Sequence, residues 1–139
     1  MRWRDLVTIT PRYTRSINVE RDAHSEVALE GYIITPTAHA TLIRITNGLS
    51  KDSGQRAWTV TGPYGSGKSA FALFLSNLLG FWGLPSVRKA RTLLRNQFPD
   101  TYKAIFQGRN SQRIERIGFC SVLIGGTSAP LLPVLVDSL

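Results

Sequence analysis

The sequence predicts an α/β fold in which helices flank a parallel β-sheet, and two strand-to-helix units support this prediction. Residues 57–61 have the β-branched and aromatic side chains of a core strand, and an apolar helical pattern follows over residues 69–79. Residues 117–124 have the composition of a second core strand, and another helix is predicted to begin near residues 128–130. Strands that alternate with helices in this order are typical of parallel sheets.

The other segments predict one short strand and three helices. Residues 6–13 alternate weakly and contain a proline, which favours an edge strand. Thr35 precedes a proline in the pattern of a helix start, and apolar residues at helical spacing then predict a helix over residues 36–47. Prolines at the first position also predict helices over residues 85–96 and 99–108.

The composition of the 139 residues is that of a folded protein, with 42% apolar and 19% charged residues. No segment approaches the roughly 20 consecutive apolar residues that a membrane-spanning helix needs, and the N-terminus lacks the apolar region of a signal peptide. We therefore expect a cytoplasmic protein that does not enter membranes. Cys120, the single cysteine, lies in an apolar run, which predicts a buried side chain rather than a reactive thiol.

The formal net charge of +8 is concentrated in one part of the chain. Eight basic residues lie from Arg88 to Arg116, and only Asp100 and Glu115 oppose them. Such a stretch is typical of a nucleic-acid-binding surface, because lysine and arginine neutralise phosphates. The alternative is a solvated basic face whose acidic counterpart lies elsewhere in a larger protein.

A glycine-rich loop between the first predicted strand and its helix carries the clearest chemical signal. Its glycines can adopt positive φ angles and lack Cβ atoms, so successive backbone N–H groups can turn toward a bound phosphate. The helix that follows adds the unpaired N–H groups of its first turn. The complete motif consists of Gly62, Pro63, Tyr64, Gly65, Ser66, Gly67, Lys68 and Ser69.

Two side chains at the end of this motif complete a triphosphate site. Lys68 is expected to reach the β- and γ-phosphates, where its ammonium would also stabilise the transition state of phosphoryl transfer. Ser69 is expected to give its hydroxyl oxygen to Mg²⁺. The sequence therefore predicts binding of ATP, or a related nucleoside triphosphate, together with Mg²⁺.

Residues 57–69 resemble the nucleotide-binding start of AAA-type ATPases of the replication-initiator and STAND-like groups. The resemblance covers residues 36–80, and its sharp motif is the loop itself. It implies a three-layer P-loop NTPase-like sheet, a Walker A role for Lys68 and Ser69, and an adenine near residues 32–35. On this basis the chain divides into an N-terminal arm, residues 1–35, and a partial nucleotide-binding domain, residues 36–139.

Hydrolysis requires acidic groups that the sequence does not supply at the expected place. An ATPase of this kind needs an aspartate at a strand end for the metal and a glutamate that orients water. Asp137 ends an apolar run, but this run falls where a helix is expected to have begun. The resemblance would place the missing motif, the sensor and the helical lid beyond Leu139. We therefore expect an N-terminal fragment that binds ATP without efficient turnover on its own.

Two alternatives use the same residues differently. A nucleotide-dependent kinase would use the same loop and could employ Arg88, Arg91 and Arg95 as a basic lid. A nucleic-acid-binding module would depend on the basic stretch and would lose affinity steeply as salt rises. A homo-oligomer is also among the assemblies that the sequence allows.

Overall fold

A computed structural model describes residues 16–23, 25–49, 54–107, 117–126 and 130–137. In these residues the chain is helical. A short 3₁₀ turn is followed by five α-helices, which we number in chain order. The elements are the 3₁₀ turn Val27–Leu29, α1 Pro36–Gly48, α2 Lys68–Leu79, α3 Pro85–Gln97, α4 Pro99–Phe106 and α5 Leu131–Asp137.

The helices begin where the prolines predict them. Proline occupies the first turn of α1, α3 and α4, where its fixed φ angle suits the helix and its missing N–H costs no hydrogen bond. Helix α1 is also capped by a side chain, because the Thr35 hydroxyl oxygen accepts the Ala38 N–H at 3.2 Å. The predicted positions of these three helices and of α2 are confirmed.

The cap on α1 gives a first stability prediction. Thr35→Ala removes the acceptor of the Ala38 N–H and is expected to lower the free energy of unfolding by about 1 kcal/mol. Urea unfolding followed by circular dichroism measures the change. Thr37→Ala is the matched control, because Thr37 is an exposed residue in the first turn of α1, two residues after the cap. Alanine has a high helix propensity at such a position. Equal losses for both variants would contradict the capping role.

Helix α2 lies at the centre of the hydrophobic core. Its Leu73, Phe74 and Leu78 side chains are fully buried, and each contributes about 1.5–3 kcal/mol through removal from water. Helix α3 packs against both α2 and α4. Leu29 of the 3₁₀ turn and Ile34 belong to the same buried cluster. The predicted division of the chain at residue 35 stays a prediction.

The buried side-chain amide of Asn77, on α2, binds the turn formed by residues 18–23. Its Nδ2 atom donates to the Ala23 carbonyl oxygen at 2.9 Å. The same turn is closed by the carboxylate of Asp22, which accepts the Asn18 N–H at 3.0 Å and pairs with Arg21 at 3.1 Å. The turn is thus joined to the core helix by a hydrogen bond from a buried side chain.

The C-terminal end of α2 is fully hydrogen-bonded, although a helix leaves its last four carbonyl groups without partners inside the helix. Donors from two other segments, α3 and residues 119–121, and from Gly80, the residue that follows the helix, bind these carbonyl oxygens. The carbonyl oxygens of Ser76, Asn77, Leu78 and Leu79 receive, in order, the Ser121 hydroxyl at 3.3 Å, the Gly80 N–H at 3.2 Å, Arg91 Nε at 3.2 Å and the Phe119 N–H at 2.8 Å.

The predicted parallel sheet is wrong. None of the described residues forms a β-strand, and both segments predicted as strands, residues 57–61 and 117–124, have no regular secondary structure. A strand exists only through ladder hydrogen bonds with a neighbouring strand. Here the Phe119 N–H is bound to the last turn of α2 instead, so the second segment is hydrogen-bonded to a helix rather than to a strand.

The interpretation as an AAA-type ATPase of P-loop NTPase fold is therefore also wrong, because that fold is built on the sheet that the described residues lack. Cys120 is exposed, contrary to the predicted burial, since the apolar run around it is not the interior of a strand. The edge strand predicted over residues 6–13 lies outside the described residues.

Each helix in the described part of the chain is too short or too polar to span a membrane.

Candidate functional site

The segment that leads into the glycine-rich loop is anchored on the end of α1. Arg56 Nη1 donates to the Gly48 carbonyl oxygen at 2.6 Å. The Trp58 ring lies so close to Gly48 that a Cβ atom at this position would overlap it. A glycine at the end of α1 therefore makes room for the indole, and the indole fixes the chain four residues before Gly62.

The loop itself reverses direction through two glycines in the left-handed region. Gly65 has φ of 80° and Gly67 has φ of 84°, values that L side chains rarely adopt. The Ser66 N–H donates to the Pro63 carbonyl oxygen at 3.3 Å, which closes the turn. Gly67 is then the N-cap of α2 and has no side chain with which to cap it. The N–H groups of the first turn of α2 thus stay available to an outside acceptor.

The ammonium of Lys68 lies inside this loop. Lys68 Nζ donates to the carbonyl oxygens of Gly62 at 2.8 Å and Pro63 at 2.7 Å, and it lies 3.3 Å from Ser66 Oγ. A lysine at the first position of α2 therefore folds back over the preceding turn. The positive charge is held at the concave side of the loop, next to the N-terminal end of the helix.

The loop faces solvent. Residues 62–67 and Ser69 are exposed, and Lys68 is half-buried. Tyr64, at the tip, is 97% exposed and so contributes nothing to the core. A ligand can therefore approach the loop directly from solvent.

The other residues singled out from the sequence lie elsewhere. Tyr32 packs on Phe74 with ring centroids 5.2 Å apart, and the Ile34 N–H donates to Gln97 at 3.1 Å. Asp137 lies on helix α5 and not at the end of a strand. The carboxylate of Glu20 accepts the Gly125 N–H.

The basic residues divide into buried and exposed members. Arg91 is 1% exposed and donates from Nε to Leu78 and from Nη2 to the Gly80 carbonyl oxygen at 3.2 Å. Arg88 and Arg95 are exposed on the same helix. Part of the predicted basic stretch, residues 108–116, lies outside the described residues.

A metal site made only of side chains is not found in the part of the chain that the structure describes. No group of three His, Cys, Asp or Glu side chains is arranged there to hold an ion.

Fold and loop together define, for the described residues, an α-helical protein whose central helix begins at an exposed glycine-rich turn with a lysine folded into it. Comparisons with protein-family models, with curated proteins and with solved structures find no match to this chain.

Proposed function

We propose that the loop of residues 62–69 binds the polyphosphate of a nucleoside triphosphate such as ATP, together with Mg²⁺. The observation that carries the proposal is the position of Lys68 Nζ, 2.8 Å from the Gly62 carbonyl oxygen and 2.7 Å from that of Pro63. The ammonium is thus already held against an exposed loop, where an anion can replace the two carbonyl groups as its partner.

The proposal does not depend on a β-sheet. Phosphate is recognised by backbone N–H groups, by the positive end of a helix dipole and by a compact ammonium, and all of these are local to the loop. Gly65 and Gly67 give the backbone its turn, and α2 provides the helix. The loop therefore carries the groups that bind a polyphosphate, whether a sheet or other helices pack against it.

Lys68 and Ser69 have separate roles in this proposal. Lys68 exchanges its carbonyl contacts for phosphate oxygens, which are stronger partners because they are charged. Ser69 is exposed on the first turn of α2, where its hydroxyl can complete the coordination of a Mg²⁺ held by the phosphates. The base of the nucleotide is left unspecified, since the loop recognises only phosphate.

Binding of Mg·ATP to the Lys68→Ala variant tests the proposal. We expect a loss of affinity of roughly tenfold or more, because hydrogen bonds to charged groups contribute about 1.5–3 kcal/mol. Lys103→Ala is the matched control: it removes the same charge from the exposed face of α4, where Lys103 lies 3.8 Å from Asp100. Isothermal titration calorimetry measures both. Equal affinities for the wild type and Lys68→Ala would refute the site.

A second substitution, measured by the same titration, tests whether Ser69 coordinates Mg²⁺. Ser69→Ala is expected to reduce the gain in ATP affinity that Mg²⁺ produces in the wild type, while binding of metal-free ATP changes little. Inorganic triphosphate should compete with ATP, since the recognised group is the polyphosphate. Failure of triphosphate to compete would mean that the nucleoside, and not the loop, directs binding.

A further inference from the structure

The turn between α2 and α3 exposes two aromatic side chains. Phe81 is 56% exposed and Trp82 is 45% exposed, although both are large apolar residues. The Leu84 N–H donates to the Phe81 carbonyl oxygen at 3.2 Å and closes the turn. The Phe81 ring lies over Gly83, where a Cβ atom would overlap it. Both rings are therefore held at the surface by a tight turn rather than by a flexible loop.

One face of the Trp82 ring is covered by a buried cation. The Arg91 guanidinium carbon lies 5.0 Å from the centroid of the indole and 4.5 Å from that of Phe106. Arg91 is in turn bound to backbone carbonyl groups at the end of α2. A ring supported in this way loses little further freedom when it stacks on a ligand, so binding costs little entropy.

Two exposed arginines lie on α3, the helix that carries Arg91. At 100° per residue, Arg88 and Arg95 project within about 20° of each other and within about 60° of Arg91 around α3. Both are exposed, and α3 contains no acidic residue. Arg88 and Arg95 thus form an exposed cationic row on the same side of α3 as Arg91, and no acidic residue of their own helix neutralises it.

We infer that the aromatic pair Phe81 and Trp82, with the row formed by Arg88 and Arg95, is a binding surface for a single-stranded polynucleotide. Exposed rings stack on unpaired bases, and arginines beside them neutralise the phosphates that connect those bases. A duplex hides the faces of its bases and cannot stack in this way. The net charge of +8 favours an anionic partner over a neutral one. This inference is independent of the proposed triphosphate site.

Fluorescence anisotropy of a dye-labelled oligothymidine of about 20 nucleotides, titrated with the full chain, tests the inference. Oligouridine distinguishes RNA from DNA, a duplex of the same length tests the need for exposed bases, and vesicles with anionic phospholipid test a membrane surface instead. We expect binding to the single strands, with affinity falling as salt rises, and weaker binding to the duplex.

The variants separate stacking from charge. Phe81→Leu keeps an apolar side chain but removes the ring, and it is expected to weaken binding roughly fivefold or more. Arg88→Gln and Arg95→Gln should each reduce the slope of log affinity against log salt by about 0.7. Lys103→Gln is the control, because it removes an equal charge from α4. Circular dichroism establishes that each variant is folded.

Three results would overturn the inference. Phe81→Leu could bind the oligonucleotide as tightly as the wild type, which would show that the aromatic ring does not stack on a base. Lys103→Gln could lower the salt slope as much as Arg88→Gln, which would show attraction to the net charge alone. Anionic vesicles could bind where oligothymidine and oligouridine do not, which would assign the surface to lipid.

Discussion

Alanine in place of Arg91 is expected to lower the free energy of unfolding by about 3–5 kcal/mol, a large part of the stability of a small domain. Arg91 is 1% exposed, and its guanidinium binds the carbonyl oxygens of Leu78 and Gly80 at 3.2 Å. Removal leaves two buried acceptors without this donor, at about 1–3 kcal/mol each. The Trp82 and Phe106 rings also lose their contact with the cation.

Part of this loss is offset, because burying a guanidinium is itself costly and alanine removes that cost. Arg91→Lys separates the two effects: lysine keeps the charge, but its single ammonium cannot match the two donors that arginine directs at two carbonyl groups. We expect an intermediate stability for this variant. Urea unfolding followed by circular dichroism gives the values.

The matched control for Arg91 is Arg95→Ala. It removes the same side chain from the exposed face of the same helix and is expected to change stability by no more than about 0.5 kcal/mol. A common unfolding midpoint for Arg91→Ala and Arg95→Ala would show that the buried cation is not needed at the end of α2.

Gly118→Ala is the second substitution with a large expected effect, at about 2–4 kcal/mol of destabilisation. Gly118 has φ of 75°, which is unfavourable for alanine. A Cβ atom there would also overlap the backbone carbonyl oxygen of Gly80, which belongs to the core. The segment would have to move away from α2 and give up the hydrogen bond from the Phe119 N–H to Leu79 at 2.8 Å.

Two other glycines separate the causes of this effect. Gly54 has φ of 65° but open space around its Cβ position, so Gly54→Ala should cost only the backbone term of about 1 kcal/mol. Gly126 has no neighbour within 4 Å of a Cβ atom, and Gly126→Ala is expected to leave stability unchanged. If Gly118→Ala lowered the free energy of unfolding no more than Gly54→Ala, the overlap with the Gly80 carbonyl group would contribute nothing to the effect.

The helices were predictable because their signals are local. Proline at the first turn, a threonine before it and apolar residues at helical spacing define α1 without any reference to the rest of the chain. The sheet was not predictable in the same way. A β-branched run such as residues 57–61 only suits a strand, and whether a strand forms depends on a neighbour elsewhere in the sequence.

The sequence predicts the candidate loop, but it does not predict that Arg91 is buried. An arginine in a basic helix is usually exposed. The kinase alternative therefore groups Arg91 with Arg88 and Arg95 as one basic lid. The spacing contained a signal against this, because Val87, Arg91 and Leu94 recur at four and three residues and so share one helix face. Both apolar members of that face are buried, and Arg91 is buried with them.

The two ends of α2 differ in how freely they can unravel. At the C-terminal end each of the last four carbonyl groups accepts a hydrogen bond, from α3, from residues 119–121 or from Gly80 just after the helix. Fraying there would break the contacts with both of the other segments. At the N-terminal end the N-cap residue is Gly67, which has no side chain to bind the first N–H groups of the helix. Local adjustment is therefore confined to the end that carries Lys68, and the rest of the helix acts as a fixed support for it.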